Sequence, residues 1–160
     1  MSNELIVNNE NFIPDLFIEN NSVYSSIDIN EDINNKIVLF NAINNSDGKI
    51  SDFINKEIVV KNVYCDCITI DDMMNEDTFI DENGEIHEEE KKITLPRIVL
   101  IDNEGHSYRC ASLSVLNSLK RIFDVFGFPP FIPPIVIKPV QVKTKKGYTA
   151  LSLQPVRFLD

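Results

Sequence analysis

Residues 112–127 carry a single amphipathic helix signal set between pairs of β-strand signals, and this order restricts the possible folds more than any other feature. Ser112 is a capping residue type, and Leu116, Leu119, Ile122, Phe123 and Phe126 follow at helical spacing. Gly127 then stops the helix, with Pro129-Pro130 just beyond. Upstream, residues 93–102 (ITLPRIVLID) and 106–111 (HSYRCA) flank a short turn containing Gly105 and predict a hairpin. Downstream, residues 135–143 (IVIKPVQVK) and 148–156 (YTALSLQPV) predict a second hairpin across Thr144-Lys145-Lys146-Gly147. Earlier still, residues 57–70 (EIVVKNVYCDCITI) set Val63, Cys65 and Cys67 against Tyr64 and Asp66, the alternation of a long half-buried strand. Residues 37–42 read as a further short strand. Pro96 and Pro139 mark places where a strand is an edge or is bulged.

The sequence therefore runs strand, strand, strand, helix, strand, strand, with a long first strand. This predicts a mainly β protein: an OB-fold-like, five-stranded Greek-key barrel with one α-helix between strands 3 and 4, plus an N-terminal extension. The expected organisation is an acidic, Asn-rich extension over residues 1–35 and an OB-like domain over residues 36–160. An acidic loop, residues 71–90, is expected between the first two strands. A chain of 160 residues suits one domain with a real core. No apolar run approaches the ~18 residues of a membrane span, and the first residues lack the basic-then-apolar pattern of a secretory signal. Three cysteines do not suggest a disulfide framework, so a reducing cytoplasm is the expected home.

The formal charge of -10 argues against a polyanionic ligand until it is divided along the chain. Residues 1–90 hold 4 Lys/Arg and 21 Asp/Glu, whereas residues 91–160 hold 11 and 4, which gives balances of -17 and +7. A basic working surface, with the acidic segment kept elsewhere, fits that asymmetry. The cations in question are Lys91, Lys92, Arg97, Arg109, Lys138, Lys143, Lys145 and Lys146, interleaved with Tyr108 and Tyr148. Lys61 and Tyr64 join them from the first strand. Binding a single strand with little sequence preference calls for this pairing, because cations follow the phosphates while flat rings stack the bases. Lysines at a hairpin tip also protect strand edges, and tyrosines also pack. For the cluster as a whole, binding is the favoured reading.

Other chemistries find less to stand on. Cys65-x-Cys67, Cys110 and His106 lack the knuckle spacing of a zinc site, and their neighbours are strand formers, so core packing of the thiols is expected. His87 lies in an acidic run, and no serine or cysteine stands in a nucleophile motif. There is no phosphate-cradling glycine loop and no calcium-loop spacing. Neither enzymatic activity, a cofactor nor a metal is expected.

The segments RIVLIDNEGHSYRCAS, LSVLNSLKRIFDVFGFPPF, IVIKPVQV and GYTALSL, with LFNAINNSDGKISDFINKEI upstream, resemble single-stranded DNA-binding proteins of phages and conjugative elements. The likeness spans roughly residues 38–155. It implies a non-enzymatic OB-fold binder that coats exposed strands during replication or transfer, acting in the cytoplasm, that of the host if phage-encoded. It implies single-stranded DNA as partner, with RNA, further copies of the chain, and replication or transfer proteins as additional candidates, and no membrane. Two departures stand out: the C-terminus lacks an acidic recruiting tail, and with no tryptophan the stacking must come from tyrosine, phenylalanine or arginine. The alternative is an OB-like protein–protein adaptor that does not bind nucleic acid.

Overall fold

The computed structural model describes residues 12–80, 82–84 and 86–160, with side chains in all of these except 71–80 and 86–92. The protein is mainly β, with its strands in two sheets. One has the order β1 (Tyr24–Ser25), β4 (Asn62–Ile80), β5 (Ile86–Ile101), β6 (Ser107–Ala111), β2 (Gly48–Lys49). The other runs β3 (Ile58–Val60), β7 (Ile135–Lys143), β8 (Thr149–Phe158). Among the described residues, eight strands thus replace the five expected, in part because residues 57–70 are two strands and not one. Lys61, between β3 and β4, is where the chain changes sheets: its N–H donates to the Ile101 carbonyl (2.8 Å), and its carbonyl accepts from the Phe131 N–H (2.8 Å). Switching sheets at such a corner lets one continuous segment wrap a core.

Alternation decides which side chains enter that core. Val63 and Cys65 of β4 and Ile98 and Leu100 of β5 point inward, joined by Ile58, Val60, Ile135, Ile137 and Leu153 of the second sheet. Helix α3 (Leu113–Phe126) closes the core between β6 and β7 and buries Val115, Leu116, Leu119, Ile122 and Phe123. The Ser112 hydroxyl caps it by accepting the Val115 N–H (3.3 Å), and Gly127 ends it with φ of 86°, a backbone setting that favours glycine.

No strand pair joins β6 to β8 among the described residues, so the barrel is not closed. Part of the open edge is satisfied by α3 instead. The Ser118 hydroxyl accepts the Leu153 N–H (2.7 Å) and donates to the Leu153 carbonyl (3.1 Å). Both prolines flagged by the sequence stand where a neighbouring ladder has run out. Pro96 lies one residue past the last β5–β6 pair, Arg97↔Ala111, and Pro139 lies two past the last β3–β7 pair, Ile58↔Ile137. Neither costs a ladder hydrogen bond on that side.

Three expectations need correction. Residues 37–42 are not a strand but the centre of α2 (Asn34–Asn44). Their run of apolar residues hides a helical stripe: Leu39, Ala42 and Ile43 pack on Tyr64, Val99 and Ile101, while Ile37 and Phe40 remain exposed. The segment 71–90 is not a loop, because β4 runs on to Ile80 and β5 starts at Ile86. Beyond Thr69↔Thr94 these strands pair, among the described residues, only with each other, forming a two-stranded ribbon about 35 Å long at ~3.3 Å per residue. Antiparallel pairing sets Asp71 opposite Lys92 and Asp72 opposite Lys91, and the register shifts between Asp72 and Asp77. Charge disguised the strands, because the run of acidic residues over 71–90 resembles a solvated loop in composition.

The third concerns the N-terminal extension. Its residues 1–11 lie outside the described ones, but Phe12, Phe17 (in α1, Pro14–Glu19) and Tyr24 are buried in the main core. Phe12 meets Phe123 with ring centroids 5.1 Å apart and Tyr24 at 5.5 Å, an aromatic cluster that ties the segment to α3. With α1 and α2, the α-helices among the described residues number three, not one.

Candidate nucleic-acid interface

The outer face of the larger sheet supplies the site. Reading across the strands, Tyr64, Val99, Arg109 and Lys49 occupy one row, and Asp66, Arg97 and Ala111 the next. α2 lies over Tyr64 and Val99. What it leaves uncovered is a groove of about 550 Å³ lined by Ile43, Lys49, Ser51, Ile68, Arg97, Arg109, Cys110, Ala111, Ser112 and Leu151. Cys110, Ala111 and Leu151 belong to β6 and β8, so the groove runs along the open seam. Its volume is within the ~300–1,000 Å³ typical of small-ligand sites.

Arg97 is fixed on the groove floor. Its Nε–H donates to Asp66 Oδ1 (2.7 Å), a terminal N–H donates to Asp66 Oδ2, and the Tyr64 hydroxyl also donates to Oδ2 (2.9 Å). Asp66 is buried, and the hydrogen bonds to its carboxylate raise the Arg97 pKa above the usual guanidinium value. Arg109 and Lys49 are exposed and have no ion-pair partner among the described residues.

A second cationic element is the β7–β8 hairpin tip. Lys143, Lys145, Lys146 and Tyr148 are all exposed, Tyr148 by 71%. The turn is held by its backbone: Thr144 N–H to the Tyr148 carbonyl (2.7 Å), Gly147 N–H to the Thr144 carbonyl (3.0 Å), and Tyr148 N–H to Thr144 Oγ1 (3.1 Å). Gly147 takes the positive φ, 83°, that this tight turn needs. Leu151, on the groove wall, is two residues along β8 from Thr149.

The twelve residues expected to form the interface thus separate. Arg97 and Arg109 share the groove, and Lys143, Lys145, Lys146 and Tyr148 share the hairpin tip. The others lie elsewhere. Tyr64 is buried beneath α2, and Tyr108 borders the main core, edge-on to Phe53 with centroids 4.9 Å apart. Burial, with nearby carboxylates, raises the Tyr108 pKa. Lys61 lines a different, largely acidic depression with Asp28, Glu31, Asp102 and Glu104. Lys138 lies near the exposed ion pair in which Arg157 donates to both Glu57 oxygens (2.6 and 2.8 Å). The side chains of Lys91 and Lys92 lie outside the described ones.

Two contributors escaped the sequence reading. Lys49 comes from the acidic half and reaches the groove because β2 pairs in parallel with β6, Lys49↔Arg109. Asp66 was visible as an acid in an otherwise apolar strand, but its partner depends on the register Asp66↔Arg97. Cys65 is fully buried, and burial raises its thiol pKa well above the usual value; the Cys110 thiol, on the groove wall, is pushed up to about 12 by the same cause. No group of metal-ligating side chains gathers among the described residues, and no helix there is long and apolar enough to cross a membrane.

A cationic groove along an open strand seam marks the protein as a β-class module suited to a polyanion. Residues 18–155 match the family model of the phage single-stranded DNA-binding protein, so the chain belongs to that family, whose general role is to bind single-stranded DNA. No curated protein and no solved structure matches the chain.

Proposed function

We propose that this protein is a non-enzymatic single-stranded DNA-binding protein that covers exposed strands during phage replication or transfer in the host cytoplasm. In this reading the strand follows the groove at the β6–β8 seam and passes on to the β7–β8 hairpin tip. The observation that carries it is the groove itself: Lys49 and Arg109, without ion-pair partners among the described residues, beside apolar Ile43, Ile68 and Leu151, in a chain of this family. Phosphates are attracted to the cations, and bases leave water for the apolar walls. The topology supports an OB-like assignment, with β3–β4 as the first barrel strand, β5 and β6 as the second and third, and β7 and β8 following α3.

The test is fluorescence polarisation with labelled oligo(dT), duplex DNA and RNA over a salt series. Five cations are available to phosphates, namely Lys49, Arg109, Lys143, Lys145 and Lys146. If all five are used, affinity for oligo(dT) falls with salt at a log–log slope of about -3.5. Tighter binding to oligo(dT) than to duplex is the expected result. No saturable signal with any of the three would replace this reading with that of a protein–protein adaptor.

A further inference from the structure

Resting on that reading, we infer that Arg97 is not a phosphate contact but the surface on which the groove stacks a nucleobase, with Asp66 and Tyr64 as the residues that hold it flat. Three observations converge on this. First, one edge of the guanidinium is spent: Nε and a terminal nitrogen both donate to Asp66, whose second oxygen is also held by Tyr64. A guanidinium used edge-on by a buried carboxylate has its π-face left to offer, and its charge is already balanced. A phosphate arriving there would meet a neutral pair.

Second, the groove has no aromatic residue among its described lining, so its planar groups are the guanidiniums of Arg97 and Arg109, and of these Arg97 is the one held in place by a carboxylate. The rings placed nearest in sequence are used elsewhere, Tyr64 under α2 and Tyr108 against Phe53. Third, the surroundings suit a base better than a phosphate. The cross-strand neighbour of Arg97 on β6 is Ala111, whose small side chain leaves space above the guanidinium, and Ile68, Ile43 and Leu151 provide apolar walls. Lysine cannot do this work, because an ammonium has no flat face. Phosphate charge falls to Arg109 and Lys49 on the neighbouring row.

The experiment compares R97K with R109Q in the same salt series, using oligo(dT) and an all-abasic strand of equal length. R97K retains a cation opposite Asp66, so the buried carboxylate keeps a partner, and thermal melting confirms the fold. Loss of one stacked base lowers affinity by about tenfold. The salt slope stays unchanged in R97K and becomes shallower by about 0.7 in R109Q. The wild-type preference for oligo(dT) over the abasic strand shrinks in R97K and persists in R109Q. A shallower slope in R97K, or an equal abasic penalty in R97K and wild type, overturns the inference while leaving single-strand binding intact. Absence of wild-type binding to oligo(dT) would sink the functional reading instead. Should R97K melt early, the wild-type protein still decides the matter by NMR. Oligo(dT) moves the Arg97 Nε–H resonance upfield through the ring current of the stacked base, and the abasic strand does not. Equal shifts with both strands overturn the inference.

Discussion

Replacing Lys143, Lys145 and Lys146 together by glutamine tests how the proposed interface obtains its affinity. All three side chains are exposed, and none has an ion-pair partner among the described residues, so each is free to displace a counterion from a phosphate. The turn that carries them is fixed by the Thr144, Gly147 and Tyr148 backbone, which the substitutions leave alone. Stability therefore changes by less than about 0.5 kcal/mol, as for other surface substitutions. Each phosphate contact on a single strand contributes about 0.7 to the log–log salt slope, so removing three flattens it by about 2. Carried from 1 M to 0.1 M salt, that slope difference is about a hundredfold in Kd, or ~2.7 kcal/mol, while the two proteins converge near 1 M. Polarisation titrations of labelled oligo(dT) at four or five salt concentrations measure both quantities. An unchanged slope would refute the reasoning, and a loss of affinity that is equal at all salt concentrations would show that the tip acts by shape and not by charge.

Further consequences follow for the scaffold. Ser118→Ala leaves the Leu153 N–H and carbonyl without their α3 partner at a buried position, and costs about 1–3 kcal/mol in urea denaturation. A cost near zero would mean that another group takes over the open edge. Phe12→Ala empties a site 2% exposed between Phe17, Tyr24 and Phe123, and lowers stability by about 3–5 kcal/mol, which an appended tail could not do. His106 titrates above its ordinary value, chiefly through the hydrogen bond to Asp102 (3.1 Å), with Asp47 and Glu104 adding to it. Because the folded pKa is the higher one, this contribution to stability is complete below about pH 6.5 and disappears as pH rises through the folded value. NMR titration reads the shift directly. D102N, which keeps an oxygen for the Glu104 and His106 N–H groups, returns the His106 pKa towards normal.

What the sequence disclosed, and what it withheld, follows from the range of the interactions concerned. Ser112, Gly127 and the spacing of Leu116, Leu119 and Phe123 announced α3 because caps and periodicity are local. The Val63/Cys65/Cys67 face of β4 was legible for the same reason, and so were both hairpins. α2 was misread because Ile37-Val38-Leu39-Phe40 is rich in strand formers, and what makes it a helix is Leu39, Ala42 and Ile43 meeting Tyr64, Val99 and Ile101 some twenty to sixty residues later. The sheet change at Lys61 is likewise a long-range matter, since its partners are Ile101 and Phe131. In the site, the lysines of the hairpin tip could be seen because a turn exposes whatever it carries. Burial could not be seen, and burial removed Tyr64 and Tyr108 from the surface.

The placement of those tyrosines alters what the basic half of the chain can be doing. Charge asymmetry along the sequence suggested one cationic wall set with rings, but the fold draws Lys49 in from the acidic half and moves Lys61 to an acidic depression. The groove is thus assembled by pairing and not by sequence neighbourhood, which is how a chain with a formal charge of -10 can offer a cationic groove. In the proposed mode stacking is divided as well: Tyr148 stands at the tip, while the planar groups among the groove's described lining are the guanidiniums of Arg97 and Arg109. A ring that stacks a base at the tip could be lost without disturbing the groove. Tyr148→Ala therefore weakens oligo(dT) binding by about 1–3 kcal/mol at unchanged salt slope, and adds to R97K independently if the two hold different bases. Sub-additive losses in the double variant would place both against the same nucleotide, and would contract the interface to a single stacked site at the mouth of the seam.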